Sequence, residues 1–132
     1  MKYMLDTNIC IYVIANRSIE LVKKFRQMDK DDICVSVVVA SELAYGVTKS
    51  RLLEKNRATL DLFLSSLTVR AMTDSVMWHY ADLRCRLERE GKVIGENDQW
   101  IAAHALATDA ILVTNNRNEF DRVQGLRVEN WV

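Results

Sequence analysis

A chain of 132 residues is long enough for one domain around a single hydrophobic core. Its composition, 49% hydrophobic and 27% charged, is that of an ordinary globular protein, and no apolar run is long enough to span a bilayer. Eighteen basic and eighteen acidic side chains cancel, so net charge does not advertise a nucleic-acid partner; a polyanion would need acids gathered around metal and local basic patches for its phosphates.

The chain opens on MKYMLDTN, where an acid at position 6 interrupts what a signal peptide would keep apolar. Lys2–Leu5 reads as a short strand ending at Asp6. Asp6 or Thr7 then caps a helix over Thr7–Ala15. Ile19–Met28 is a second helix, with Val22, Phe25 and Met28 along one face. Ile33–Val35 is an apolar strand, and Ser36 caps a helix from about Val38 to about Ser50. Glu54–Ser66 is amphipathic, because Leu60, Phe63, Leu64 and Leu67 follow helical spacing. Leu67–Val69 reads as an edge strand. Thr73–Glu90 is a long helix with Val76, Tyr80, Leu83 and Leu87 on one stripe, stopped by Gly91. Ile94–Glu96 is a turn, Asp98–Ala107 a helix and Ile111–Val113 a strand. A turn or short helix covers Asn115–Phe120, and Arg127–Val128 reads as the last strand. There is no proline, and only four glycines, so no linker or repeat divides residues 1–132, which read as a single domain.

Strands alternating with helices predict an α/β fold around a parallel sheet. Ligands of such sheets bind beyond the carboxyl ends of the strands, where strand order reverses. Asp6 follows the first strand. Ser36 follows the second, with Glu42 two turns into the next helix, and Thr114, Asn115 and Asn116 follow the fourth. Asp6, Glu42 and Asp98 can therefore converge. Three clustered carboxylates repel, and a divalent cation such as Mg²⁺ or Mn²⁺ reverses the penalty. Such clusters serve metal-assisted attack on phosphate esters.

Taken singly, each acid has an ordinary reading. Asp6 can be a helix cap. Glu42 can face solvent, although it lies in the apolar run Val37–Ala44, where an unpartnered buried acid would be costly. Asp98 can be a first-turn acid that favours the helix dipole, as could Glu96.

Four stretches carry a family resemblance: YMLDTNICIY, SELAYG around Glu42, GENDQWIAAHA around Asp98, and ILVTNNRNEFDRVQGLRVENW. They resemble the PIN-domain ribonucleases, and among them the VapC-type toxins of type II toxin–antitoxin pairs. The resemblance implies a three-layer α/β/α sandwich with parallel strand order 3-2-1-4-5. It implies that Asp6, Glu42 and Asp98 bind one or two Mg²⁺ or Mn²⁺ ions. A fourth acid in the family's T-x-D pattern is replaced here, since the pattern reads Thr114-Asn115-Asn116. Asn116 can still offer a carbonyl oxygen, and Glu119 can substitute for the missing acid. Thr114 is expected to orient a carboxylate. Thr7 and Asn8 are expected to hold Asp6 or a water at the metal.

The implied reaction is hydrolysis of single-stranded RNA, leaving 5′-phosphate and 3′-hydroxyl ends. Relatives with similar motifs cut initiator tRNA in the anticodon stem-loop, which makes that tRNA a target to test. The implied partner is a VapB-type antitoxin. Its C-terminal segment would enter the acidic cleft, and it would carry the complex to operator DNA. A homodimer is implied, with the apolar face near Leu60 and Phe63 as an interface. The implied setting is cytoplasmic.

Other residues carry weaker signals. Arg84, Arg86, Arg89 and Lys92 form either a solvated helix face or an RNA-phosphate track, with Arg86 the better placed. His104 reads as a packed helix residue and His79 as a surface one. Trp78, Trp100 and Trp131 read mostly as packing residues, although tryptophans can stack on bases. Cys10, Cys34 and Cys85 are odd in number and far apart, which excludes a CxxC zinc knuckle and a disulfide framework; all three read as buried small residues. Two competing readings stand. One is a haloacid-dehalogenase-type phosphatase, which would want a second Asp where Asn8 stands. The other is a non-catalytic RNA-binding protein with a degenerate nuclease fold, favoured only by Asn116.

Overall fold

The computed structural model describes residues 2–132. Five short strands, β1 (Tyr3–Leu5), β2 (Ile33–Ser36), β3 (Thr68–Arg70), β4 (Ile111–Val113) and β5 (Val128–Glu129), form one parallel sheet. Their order is β3-β2-β1-β4-β5, so the direction of chain progression reverses between β1 and β4. The sheet is the middle of three layers. Helices α1 (Thr7–Ile14), α2 (Ile19–Arg26), α3 (Val37–Thr48) and α4 (Leu53–Leu64) connect β1, β2 and β3. Helices α5 (Met77–Arg89) and α6 (Glu96–Ala107) carry the chain back to β4, and the short α7 (Arg117–Phe120) leads to β5. Right-handed crossovers put the outgoing and returning helices on opposite faces. The central strands are therefore apolar on both sides: Met4, Leu5, Leu112 and Val113 have no exposure.

Local chemistry sets most boundaries. Ser18 caps α2 by accepting from the Leu21 N–H, and Ser36 caps α3 by accepting from the Val38 N–H. Gly91 follows α5 at φ +64°, the left-handed turn that ends a helix most readily at glycine. The element order matches the sequence reading, with shifts at the ends. β3 and β5 lie one residue later than expected, and the first turn of the long helix is a 3₁₀ turn over Asp74–Val76. α6 begins at Glu96 rather than Asp98, because Gly95 takes the cap position with an extended ψ of 149°. The first-turn N–H groups of a helix need no partner within it, so polar Glu96 and Asn97 fit there.

Two expectations are corrected by packing. Leu60 and Phe63 are 6% and 8% exposed, and the Phe63 ring stacks on Phe25 at 5.5 Å. That face of α4 serves the chain's own core, so it is not available as an interface between copies. Cys85 is exposed, unlike Cys10 and Cys34, because it sits on the outer side of α5. Among the described residues, no helix is long and apolar enough to cross a membrane.

Candidate active site

Asp6 stands where β1 gives way to α1, and its backbone N–H still donates to the Val113 carbonyl at 2.9 Å. Its carboxylate is gripped from both sides of the reversal point. The Thr7 N–H donates to Oδ1 at 2.8 Å, and the Thr114 hydroxyl donates to Oδ2 at 2.8 Å. Thr114 follows β4, is fully buried, and accepts in turn from the Asn116 N–H at 3.0 Å. Burial pushes the Asp6 carboxyl above its ordinary range, the Thr114 and Thr7 donors pull it back, and the charge of Glu119 pushes it up again. Asp6 is thus a cap and an oriented carboxylate at once.

Three further acids come to the same end of the sheet. Glu42 reaches in from α3 and accepts from the Thr7 hydroxyl at 3.0 Å. Asp98 lies in the first turn of α6, folded back over the entry to the helix. A Cβ built on Gly95 would stand 3.3 Å from Asp98 Oδ2, so a larger residue there would push the Asp98 carboxylate aside by a few tenths of an ångström. Glu119, on α7, accepts from the Asn116 side-chain amide at 3.0 Å. The Asp98 carboxyl is pushed up to about 8. Burial is the first cause, a hydrogen bond shared with Glu119 the second, and the charges of Asp6, Glu119 and Glu42 follow. The other three acids therefore all act on Asp98.

The donors are all hard carboxylate oxygens, the set that suits Mg²⁺ or Mn²⁺. Among the described residues, no three acids, histidines or cysteines close around a single point. The side chains are instead turned to protein donors: Glu42 to Thr7, Glu119 to Asn116, and Asp6 to Thr7 and Thr114. The raised Asp98 carboxyl also supplies an electrostatic reason for a divalent cation to be welcome.

Several expected residues have other places. Asn8 is exposed and its side chain has no hydrogen bond among the described residues. That position is where the phosphatase reading needs a second acid, so nothing in the site favours that reading. Asn116 points its amide at Glu119, which makes it a positioning residue for the fourth acid. Arg84 is exposed on α5, donates to the Tyr80 hydroxyl at 2.8 Å and pairs with Glu88 at 3.7 Å. Arg86 donates to Gln124 and lines a cleft with Leu106. Leu106 lies eight residues along α6 from Asp98, roughly 12 Å at the helical rise. Lys92 is exposed just beyond α5. The basic run is therefore not gathered among the acids. His79 is exposed, Trp78 is exposed, Trp100 stacks on Tyr80 with ring centroids 3.7 Å apart, and Trp131 is buried beside Tyr3.

The sequence reading missed one buried bond. His104 Nδ1 lies 2.8 Å from Ser36 Oγ, and both residues are buried. It ties α6, which carries Asp98, to the cap of α3, which carries Glu42. Burial first, and then the Arg70 charge, push the His104 pKa down, so the ring is neutral. The alternation of hydrophobic residues gives no signal for such a pair, whose members lie 68 positions apart.

Comparison with known proteins gives a consistent result. The PIN domain profile matches residues 3–126. The chain is 47% identical over 132 residues to "Ribonuclease VapC2" of Haemophilus influenzae, covering 100% of this chain and 99% of that protein. It is 40% identical over 131 residues to "tRNA(fMet)-specific endonuclease VapC" of Shigella flexneri, covering 99% and 98%. The solved structure of VapBC2 from Rickettsia felis bound to a promoter DNA fragment superposes with a TM-score of 0.94, at 43% identity and full coverage of both chains.

Proposed function

The chain belongs to the PIN-domain family, in its VapC branch, and from that premise we propose that it is the toxin of a type II toxin–antitoxin pair and a divalent-metal-dependent endoribonuclease. The observation that carries the reading is the placement of Asp6, Glu42, Asp98 and Glu119 at one end of the sheet near the β1/β4 reversal, where burial first, and then a hydrogen bond with Glu119 and the charges of the other acids, push Asp98 up to about 8. Acids on four different elements crowd together at a cost that a cation relieves.

Asp6, Asp98 and Glu42 would hold Mg²⁺ or Mn²⁺, with Glu119 as a fourth donor in place of the acid missing at Asn116. When bound, the cation supplies Lewis acidity: it lowers the pKa of water and neutralises charge on the phosphoryl oxygens. The chain's own residues prepare the ligands. Thr114 and the Thr7 amide hold both Asp6 oxygens. The Thr7 hydroxyl orients Glu42 and Asn116 orients Glu119. Burial first, and then the hydrogen bond with Glu119, favour a proton on Asp98 in the metal-free site, and a bound cation would favour its loss.

Single-stranded RNA is the substrate class. The Shigella flexneri relative is named for tRNA(fMet), which favours the initiator tRNA as the first target to try. Solved relatives are VapBC complexes on promoter DNA, which supports a VapB-type antitoxin as inhibitor and as the DNA-binding partner. A homodimer and a cytoplasmic setting follow from the same reading, with the whole chain as one PIN domain.

The test is incubation of the purified protein with total RNA and Mn²⁺, with and without EDTA, beside Asp6→Asn and Asp98→Asn. Metal-dependent cleavage absent from both variants is the expected result. Cleavage that survives EDTA or either substitution overturns the proposal.

A further inference from the structure

A second charged feature lies outside the acid cluster. A cleft of about 340 Å³ opens between α5 and the segment after α7, with Arg86 and Arg122 on its two walls. Leu106, His79, Asp82 and Gln124 complete the lining that matters here. Arg86 donates to the neutral amide of Gln124, and Arg122 donates to the Val93 carbonyl at 3.2 Å. Among the described residues, neither guanidinium has a carboxylate within 4.0 Å, whereas Arg84, Arg117 and Arg127 each do. Two full positive charges thus face one open cleft, with Asp82 as the single acid on its lining. Each guanidinium has five N–H donors and spends one on the bond described, so most of the donors are left for a ligand.

Two short stretches of chain link the cleft to the acid site. The Arg122 N–H donates to the Glu119 carbonyl at 3.1 Å, so one turn of chain carries both the acid that bonds Asp98 and a wall of the cleft. Val93, which holds the Arg122 side chain, lies two residues before Gly95 at the entry to α6. A strand bound over the acids could leave the site along this turn and meet Arg122 first and Arg86 second.

We propose that the Arg86–Arg122 cleft is an accessory phosphate-binding subsite, which holds the backbone of the RNA strand away from the scissile bond. It rests on the ribonuclease reading above. It also gives Arg86 a role that does not require it to reach the acids. Planar guanidinium groups match phosphate oxygens in two-point contacts, and such contacts position a strand without reading its sequence.

The experiment measures binding of a labelled single-stranded oligoribonucleotide of mixed sequence, in EDTA to prevent cleavage, across a series of salt concentrations. Each phosphate contact to a single strand adds about 0.7 to the slope of log affinity against log salt. The double variant Arg86→Gln/Arg122→Gln is expected to flatten that slope by about 1.4 and to weaken binding on the order of tenfold at moderate salt. Arg86→Lys/Arg122→Lys keeps the charges and is expected to keep most of the slope, which separates charge loss from misfolding. Arg127→Gln removes one charge beside Asp109 and is expected to leave the slope unchanged. A glutamine double variant that binds as the parent does, or weakens no more than Arg127→Gln, overturns the subsite and leaves an acidic protein segment as the occupant of the cleft. A parent that cleaves RNA with Mn²⁺ yet shows no binding in EDTA overturns the subsite alone. A parent that neither binds nor cleaves removes the ribonuclease reading as well.

Discussion

Asp6 and Asp98 are the same residue type at the same end of the sheet, in opposite conditions. Asp6 is held at the ends of central strands: burial still pushes its carboxyl up, but donors on both oxygens pull it part of the way back. Asp98 stands at the start of a surface-layer helix, faces Glu119, Asp6 and Glu42, and is pushed up to about 8. One carboxylate is finished by the protein, and the other is left for a cation to finish. The contrast teaches that a site of this kind needs both a rigid ligand to fix where the cation sits and an unsatisfied one to draw it in.

The sharpest way to break the contrast is to neutralise either acid. Asp6→Asn and Asp98→Asn are each expected to lower Mn²⁺-dependent RNA cleavage by about 10³-fold or more, read as initial rates. Removing only the support of the rigid acid is milder. Thr114→Val leaves a buried Asp6 oxygen without its donor, expected to cost about 1–3 kcal/mol in thermal unfolding and roughly 10- to 100-fold in metal affinity or cleavage.

The strained acid has a stability signature of its own. Folded Asp98 holds its proton up to about pH 8, whereas its ordinary value is 3.8. Between those values the folded state binds more protons than the unfolded one, so metal-free stability falls as pH rises. Asp98→Asn removes that loss. Its melting temperature in EDTA is expected to match the parent near pH 4 and to exceed it near pH 8. The expected gain is about 1–2 kcal/mol after discounting for half-exposure. A parent whose metal-free melting temperature does not fall over that range would refute the strain on Asp98.

Smaller effects test what lies behind the two acids. Ser36→Ala removes the bond that joins the α3 cap to His104, and is expected to cost about 1–2 kcal/mol. Its cleavage rate is expected to fall less than that of Thr114→Val, because no acid loses a direct donor. Cys85→Ser changes an exposed side chain and is expected to stay within about 0.5 kcal/mol of the parent.

The strand-ending acid Asp6, the helix carrying Asp98 and the reversal point between the first and fourth strands could be read from the sequence, because strand–helix alternation and the quoted motifs are local patterns. The pairing of Thr114 with Asp6 was foreseen only as an orienting role, through the resemblance. The direction of the Leu60–Phe63 face was misread: amphipathic spacing reveals that a helix has an apolar face, but the same spacing serves a core or a partner. Spacing along α5 groups Arg84, Arg86 and Arg89 on one helix but says nothing of how α5 crosses α6, so the distance of the basic run from the acids is not a local pattern. The His104–Ser36 bond left no trace, since a polar residue in an apolar helix does not name its partner.

Thr114 grips Asp6 across 108 positions of chain, and this has a consequence for timing. The four acids lie at positions 6, 42, 98 and 119. During synthesis the first is exposed early, but its clamp arrives only with β4, and the last acid follows five residues after that clamp. A nascent chain still short of α7 carries an incomplete set of ligands on an unclosed sheet. Until α7 has been made, such a chain would therefore lack the complete set of acids that the proposed cation needs.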